Sequence, residues 1–155
     1  MRLTTRIRNR LFHTWFLMQR PMTLGVRGIV HDEAAGTVLL VRHTYVPGWQ
    51  FPGGGVEKGE TAEQALAREI EEEGNVTLEG SATLLSLHHN RQASARDHVA
   101  VYLLRSFRVL GPKRPDREIA EAGFFPLDAL PEETTPATRR RLAELFDEQP
   151  PAAEW

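Results

Sequence analysis

One Gly, four Glu and one Arg at fixed intervals between Gly54 and Val76 constrain this chain more than any other feature. The stretch reads GGVEKGETAEQALAREIEEEGNV, with Gly54, Glu60, Arg68, Glu69, Glu72 and Glu73 at the offsets G-x5-E-x7-R-E-I-x-E-E. At about 100° per residue, Glu69, Glu72 and Glu73 stand at i, i+3 and i+4 and share one arc of a helix. Three like charges so close repel each other. A hard cation that prefers oxygen ligands, such as Mg²⁺ or Mn²⁺, reverses that penalty. The adjoining arc carries Ala62, Leu66 and Ile70, an apolar stripe that can seat the helix on a core and fix the directions of the carboxylates.

The ends of this helix are also legible. Thr61 with Gln64 fits a capping box, and the loop Phe51-Pro52-Gly53-Gly54-Gly55 delivers the chain to it. Three glycines in a row let backbone groups approach a metal or phosphate that a side chain would obstruct. Glu60 is expected on the side of the helix start opposite the carboxylate arc, with Arg68 as its partner. Asn75 tolerates the left-handed conformation that ends a helix.

On these residues the segment resembles the Nudix box, G-x5-E-x7-R-E-U-x-E-E-x-G-U with U aliphatic. Six fixed positions coincide by chance in roughly one placement in ten million. One position departs, because Asn75 stands where the pattern has Gly. The resemblance implies a Nudix α/β/α sandwich with a mixed β-sheet. It also implies Mg²⁺-dependent hydrolysis, with Mn²⁺ as a substitute, of the diphosphate linkage of a nucleoside diphosphate joined to another moiety. Carried over by position, Glu72 and Glu73 are the principal metal ligands, the Gly54 carbonyl completes the shell, and Glu69 is a ligand or the general base. Arg68 orients Glu69. Glu118 and Glu121 are the candidates for a base or ligand outside the box. The alternative is a non-catalytic Nudix-fold module that senses a nucleotide without cutting it.

Substrate contacts are expected from Arg27, Arg42 and His43 on preceding strands, and from Trp49 and Gly55 around the loop. His88, His89 and His98 invite a metal reading, but no His-x-x-x-His helix or carboxylate partner stands beside them, so they are read as solvated or turn-bonded. The signatures of coenzyme A, NADH, ADP-ribose and dinucleoside polyphosphate enzymes are not found, the ADP-ribose position being occupied by residues near Gln92. Substrate type therefore stays open among nucleoside triphosphates, sugar nucleotides and capped RNA.

With no cysteine in 155 residues, disulfides, zinc-thiolate sites and thiol catalysis are excluded, and the absence counts against the cysteine-using isomerase branch of the superfamily. A formal net charge of −2 lacks the basic excess of a general nucleic-acid binder, and no stable nucleic-acid partner is expected. Residues 1–20 read as an amphipathic helical extension, with Leu3, Ile7, Leu11, Trp15 and Met18 at helical spacing and Arg2, Arg6, Arg8 and Arg10 on other faces. The reading preferred from sequence is that it packs on the domain or on the mate of a homodimer, with peripheral membrane contact the lesser alternative. The apolar run is too short and broken for a secretion signal, so a cytoplasmic location is expected. Residues 21–148 form the catalytic domain in this reading. Strands are expected at 23–30, 37–42, 82–88, 98–109 and 123–125, a short extended piece at 49–51, and helices at 62–74 and 138–146. Residues 149–155 are expected to be a flexible tail.

Overall fold

The protein was analysed as a computed structural model, which describes residues 3–155. Met1 and Arg2 lie outside the described residues, as do the side chains of residues 3–6, and with them the expected side-chain positions of Arg2, Leu3 and Arg6.

Helix α1 (Leu3–Gln19) precedes β1 (Thr23–Asp32), β2 (Thr37–His43), β3 (Trp49–Gln50) and helix α2 (Ala62–Gly74). Then come β4 (Val76–Leu78), β5 (Thr83–His89), β6 (Asp97–Leu104), β7 (Phe107–Val109), β8 (Ile119–Pro126) and helix α3 (Pro136–Phe146). The main sheet is mixed, in the order β3-β2-β1-β6-β5 with β8 paired to β2. β1 and β6 run parallel from Thr23↔Asp97 to Val30↔Leu104, whereas β5–β6 and β2–β8 are antiparallel. β4 and β7 form a separate two-stranded ribbon.

Alternation along β1 divides its side chains between two cores. Val26 and Val30 join Leu66, Ile70, Ala100 and Leu104 under α2, while Ile29 joins Val101, Leu103, Phe51 and Leu142 under α3. The sheet is thus covered on both faces, an α/β arrangement. Burying Leu66 and Ile70 completely stabilises the seat of α2 by about 1.5–3 kcal/mol for each side chain.

Several expectations change here. The stretch 98–109 is broken at Arg105-Ser106, because β7 leaves β6 to pair with β4. β8 runs from Ile119 rather than Gly123, as its start pairs with the end of β2. The tail 149–155 is not free: Ala153 and Trp155 exchange backbone hydrogen bonds with His89, and the Trp155 ring lies over the Arg141 guanidinium. Among the described residues, the first helix does not pack on the domain. Every described α1 side chain from Ile7 to Gln19 is exposed, including Trp15 at 57% and Met18 at 75%.

Candidate active site

Helix α2 starts as its sequence demands. Thr61 Oγ1 accepts from Gln64 N at 3.2 Å and Gln64 Oε1 accepts from Thr61 N at 2.8 Å, closing the capping box. At the other end Asn75 takes φ 54° and donates its N–H to the Glu71 carbonyl. The helix is therefore fixed at both ends and along its buried face.

On this support one guanidinium gathers three carboxylates. Arg68 donates to Glu69 Oε1 at 2.7 Å and to Glu60 Oε1 at 2.8 Å, with longer bonds to Glu60 Oε2 at 3.3 Å and Glu72 Oε2 at 3.4 Å. It also reaches the Gly55 carbonyl at 3.3 Å. Glu60 is its partner as expected but not on the opposite side: it precedes the N-cap, so helical phase does not govern its direction, and Arg68 joins it to the carboxylates of α2. Hydrogen bonding to Glu60 and Glu69 holds the Arg68 proton more tightly than usual, and the bond from Arg68 lowers the pKa of Glu60. Glu69 goes the other way. Burial raises its pKa, Arg68 opposes that, and the negative charges of Glu73 and Glu72 raise it further.

The glycine loop is shaped around this cluster. Gly53 has φ 149°, and a Cβ there would collide with the Val26 carbonyl. A Cβ on Gly54 would lie 2.5 Å from Glu69 Oε1, so a side chain there would displace that carboxylate. The Gly54 carbonyl accepts from Val26 N at 2.8 Å, which leaves one lone pair unused.

Glu73 is buried at 6% exposure and turned inward. Its Oε2 accepts from Gly53 N at 2.8 Å and its Oε1 lies 2.7 Å from His43 Nε2, with Gln50 on the far side of the imidazole. Glu72 points outward, its side chain 61% exposed. The expected common direction of the three carboxylates is therefore not seen, and among the described residues no three His, Asp or Glu side chains converge on one point. The reason is competition: the Gly53 amide and His43 draw Glu73 one way, and solvent draws Glu72 the other. The donor set still suits a hard divalent ion, since its atoms are carboxylate and carbonyl oxygens and Glu73 retains free lone pairs after two hydrogen bonds.

A cleft of about 450 Å³ opens beside the loop, lined by Arg27, Gly54, Gly55, Leu24, Asn90 and Asp97 among others. Two expected substrate residues, Arg27 and Gly55, meet there with Gly54, expected as a metal ligand. Arg27 donates to the Phe51 and Gly53 carbonyls at 3.1 and 2.9 Å; burial lowers its pKa and the charges of Glu73 and Glu69 oppose that. Arg42 and Trp49 lie elsewhere. Arg42 pairs with Glu121 at 2.9 Å and lies over the Trp49 ring, and Trp49 is buried edge-on to Phe125 in the second core.

Glu118 is exposed on a turn held by Asp116, whose Oδ1 accepts from Glu118 N and Ile119 N. Its carbonyl accepts from Thr44 N at 2.8 Å, which sets it beside Tyr45. The Tyr45 pKa is raised, by burial first and then by Glu118, Glu73 and Glu69, with Arg27 opposing. Sequence reasoning missed Tyr45, Asn90 and Asp97, and it sent His43 toward a phosphate rather than to Glu73. Of the other histidines, His88 is neither solvated nor turn-bonded: it is fully buried against Ser86, Ala152 and Arg141. His89 and His98 stack on each other.

Comparison with known proteins identifies the family and the fold. The sequence model of the NUDIX domain matches residues 21–146. The fold is similar to that of a MutT NUDIX hydrolase from Burkholderia pseudomallei, which is 32% identical, with a TM-score of 0.64 covering 80% of this chain and 98% of that one. It is also similar to an ADP-ribose pyrophosphatase from Streptococcus suis, 23% identical with a TM-score of 0.58 over 79% of this chain and 90% of that one; this likeness bears on fold alone. Among curated proteins, an RNA pyrophosphohydrolase from Photobacterium profundum is 42% identical over 62 residues, 40% of this chain and 36% of that protein. The chain spans less than half the length of the curated relatives it matches.

Proposed function

This chain belongs to the Nudix hydrolase family, and from that premise we propose that it cleaves the diphosphate linkage of a nucleoside diphosphate joined to a second moiety. The observation that carries the reading is the Glu69 carboxylate, held by Arg68 at 2.7 Å directly against Gly54, next to a cleft lined by the same loop. Glu69, Glu72, Glu73 and the Gly54 carbonyl would hold Mg²⁺, with Mn²⁺ as a substitute. When bound, the ion neutralises phosphate charge and lowers the pKa of a water.

The remaining work falls to the chain itself. Arg68 fixes the direction of Glu69, as charge-assisted bonds do well. Glu69 takes the proton of the attacking water, and its raised pKa moves it toward neutrality, where a general base is most effective. Glu118 is the second candidate for that role, from the turn beside Tyr45. Arg27 and the amides of Gly54 and Gly55 orient the phosphate chain in the cleft. The names of the similar proteins, a MutT hydrolase and an RNA pyrophosphohydrolase, favour substrates with a phosphate chain on a nucleotide. We place the reaction in the cytoplasm.

The test is a nucleotide panel incubated with Mg²⁺ or Mn²⁺ and assayed for product, with Glu69→Gln and Glu73→Gln as controls. Product from the unaltered protein alone supports hydrolysis. Tight binding of a nucleotide without turnover on any compound would replace it with the sensor reading.

A further inference from the structure

We propose that α1 is an interfacial helix that docks the protein on an anionic phospholipid surface. Seven large apolar side chains, Ile7, Leu11, Phe12, Trp15, Phe16, Leu17 and Met18, are between 42% and 75% exposed. Phe12, Trp15 and Phe16 lie against one another and make no core with the body. Such an aromatic and aliphatic surface, interspersed with arginine, is the chemistry of a helix lying in the headgroup region. At 17 residues, roughly 25 Å, α1 is neither long nor apolar enough to cross a membrane.

Surface area points to a missing contact. A compact chain of 17.5 kDa exposes about 7,900 Å², whereas this one exposes 10127 Å². The excess, about 2,200 Å², is more than the roughly 800 Å² that one partner gives to a contact of standard size.

Charge selects the occupant. Helix α1 carries no Asp or Glu, and the arginines exposed on it and beside it are Arg8, Arg10, Arg20 and Arg96. Arg96 lies beside the start of β1, since Thr23 N donates to its carbonyl, and the neighbouring Asp97 is already bonded to Thr23 and Asn90. Met22, Leu24, Leu84 and Leu87 on the body are exposed as well. A second copy is disfavoured because a two-fold contact through this pole would set arginines against arginines. Nucleic acid would satisfy the arginines, but its contacts go chiefly to phosphate and sugar and leave Leu11, Leu17 and Met18 in water. An acidic bilayer answers both the charge and the apolar area. The candidate active-site cleft, lined by Met22 and Leu24, opens beside the same pole.

The experiment is co-sedimentation of the full chain with vesicles of phosphatidylcholine, with and without phosphatidylglycerol. The intact protein should pellet with the anionic vesicles only and be released by high salt. The pairs Trp15→Glu/Phe16→Glu and Arg8→Glu/Arg10→Glu should each lower the bound fraction about tenfold. Because these side chains touch nothing in the body, thermal unfolding and hydrolysis of soluble nucleotide should not change. Failure of hydrolysis alone would leave this docking intact. The proposal falls if no anion-dependent pelleting occurs, or if the variants pellet like the intact protein. It falls equally if light scattering shows a dimer that the Trp15→Glu/Phe16→Glu pair dissociates, or if RNA is retained in a gel shift while vesicles are not.

Discussion

Helices α1 and α2 are both rich in charge, yet they stand at opposite ends of what a helix can do in a folded chain. α2 buries Ala65, Leu66 and Ile70 completely, is capped at both ends, and ties its charges together through Arg68. α1 has no acidic residue to pair with its arginines, and its described side chains meet no core. The difference teaches that charge on a helix acquires a direction only when a buried face fixes the helix beneath it. Where that face is missing, charge and apolar area together describe a surface for something else.

The largest expected effect is at the fixed end of this comparison. Glu69→Gln keeps the shape of the side chain and should lower kcat about 10²- to 10⁴-fold, measured by product release on the best substrate of the panel. If turnover stays within about twofold, the carboxylates of α2 are a structural charge cluster like any other. Next, Leu66→Ala should cost about 2–5 kcal/mol in denaturant unfolding, whereas Trp15→Ala should stay within about 0.5 kcal/mol. Equal costs would mean that α1 is packed in solution. Third, Arg68→Lys keeps the charge but loses the fork that spans Glu60 and Glu69, and should reduce activity or metal affinity about 10- to 100-fold, with unfolding affected far less. Smallest, Thr61→Ala removes the cap and should cost about 1 kcal/mol, read from the unfolding midpoint.

The same contrast explains what could be read from sequence. The bounds of α2, its capping box and the Asn75 terminus were legible because they depend on residues within a few positions of each other. Arg68 with Glu60 was legible as a pair, but its geometry was not, since Glu60 lies in the turn before the helix. The His43–Glu73 contact was out of reach: the two residues are 30 positions apart, and only the pairing of β2 in the sheet brings His43 to α2. β4 and the start of β8 were lost because three-residue strands and mixed stretches such as Ile119-Ala120-Glu121 carry little alternation. The tail 149–155 looked free because its partners, His89 and Arg141, come from β5 and α3. For α1, sequence showed an amphipathic helix but not whether the body offers it a place.

The central claim is that the α2 turn and the glycine loop form an oxygen-donor site for a divalent ion that makes a diphosphate attackable. Calorimetric titration of Mn²⁺ into the protein with a non-hydrolysable nucleotide analogue tests it most directly. The account predicts saturable uptake that Glu69→Gln and Glu73→Gln each weaken. Uptake that is absent, or unchanged in both variants, would contradict it.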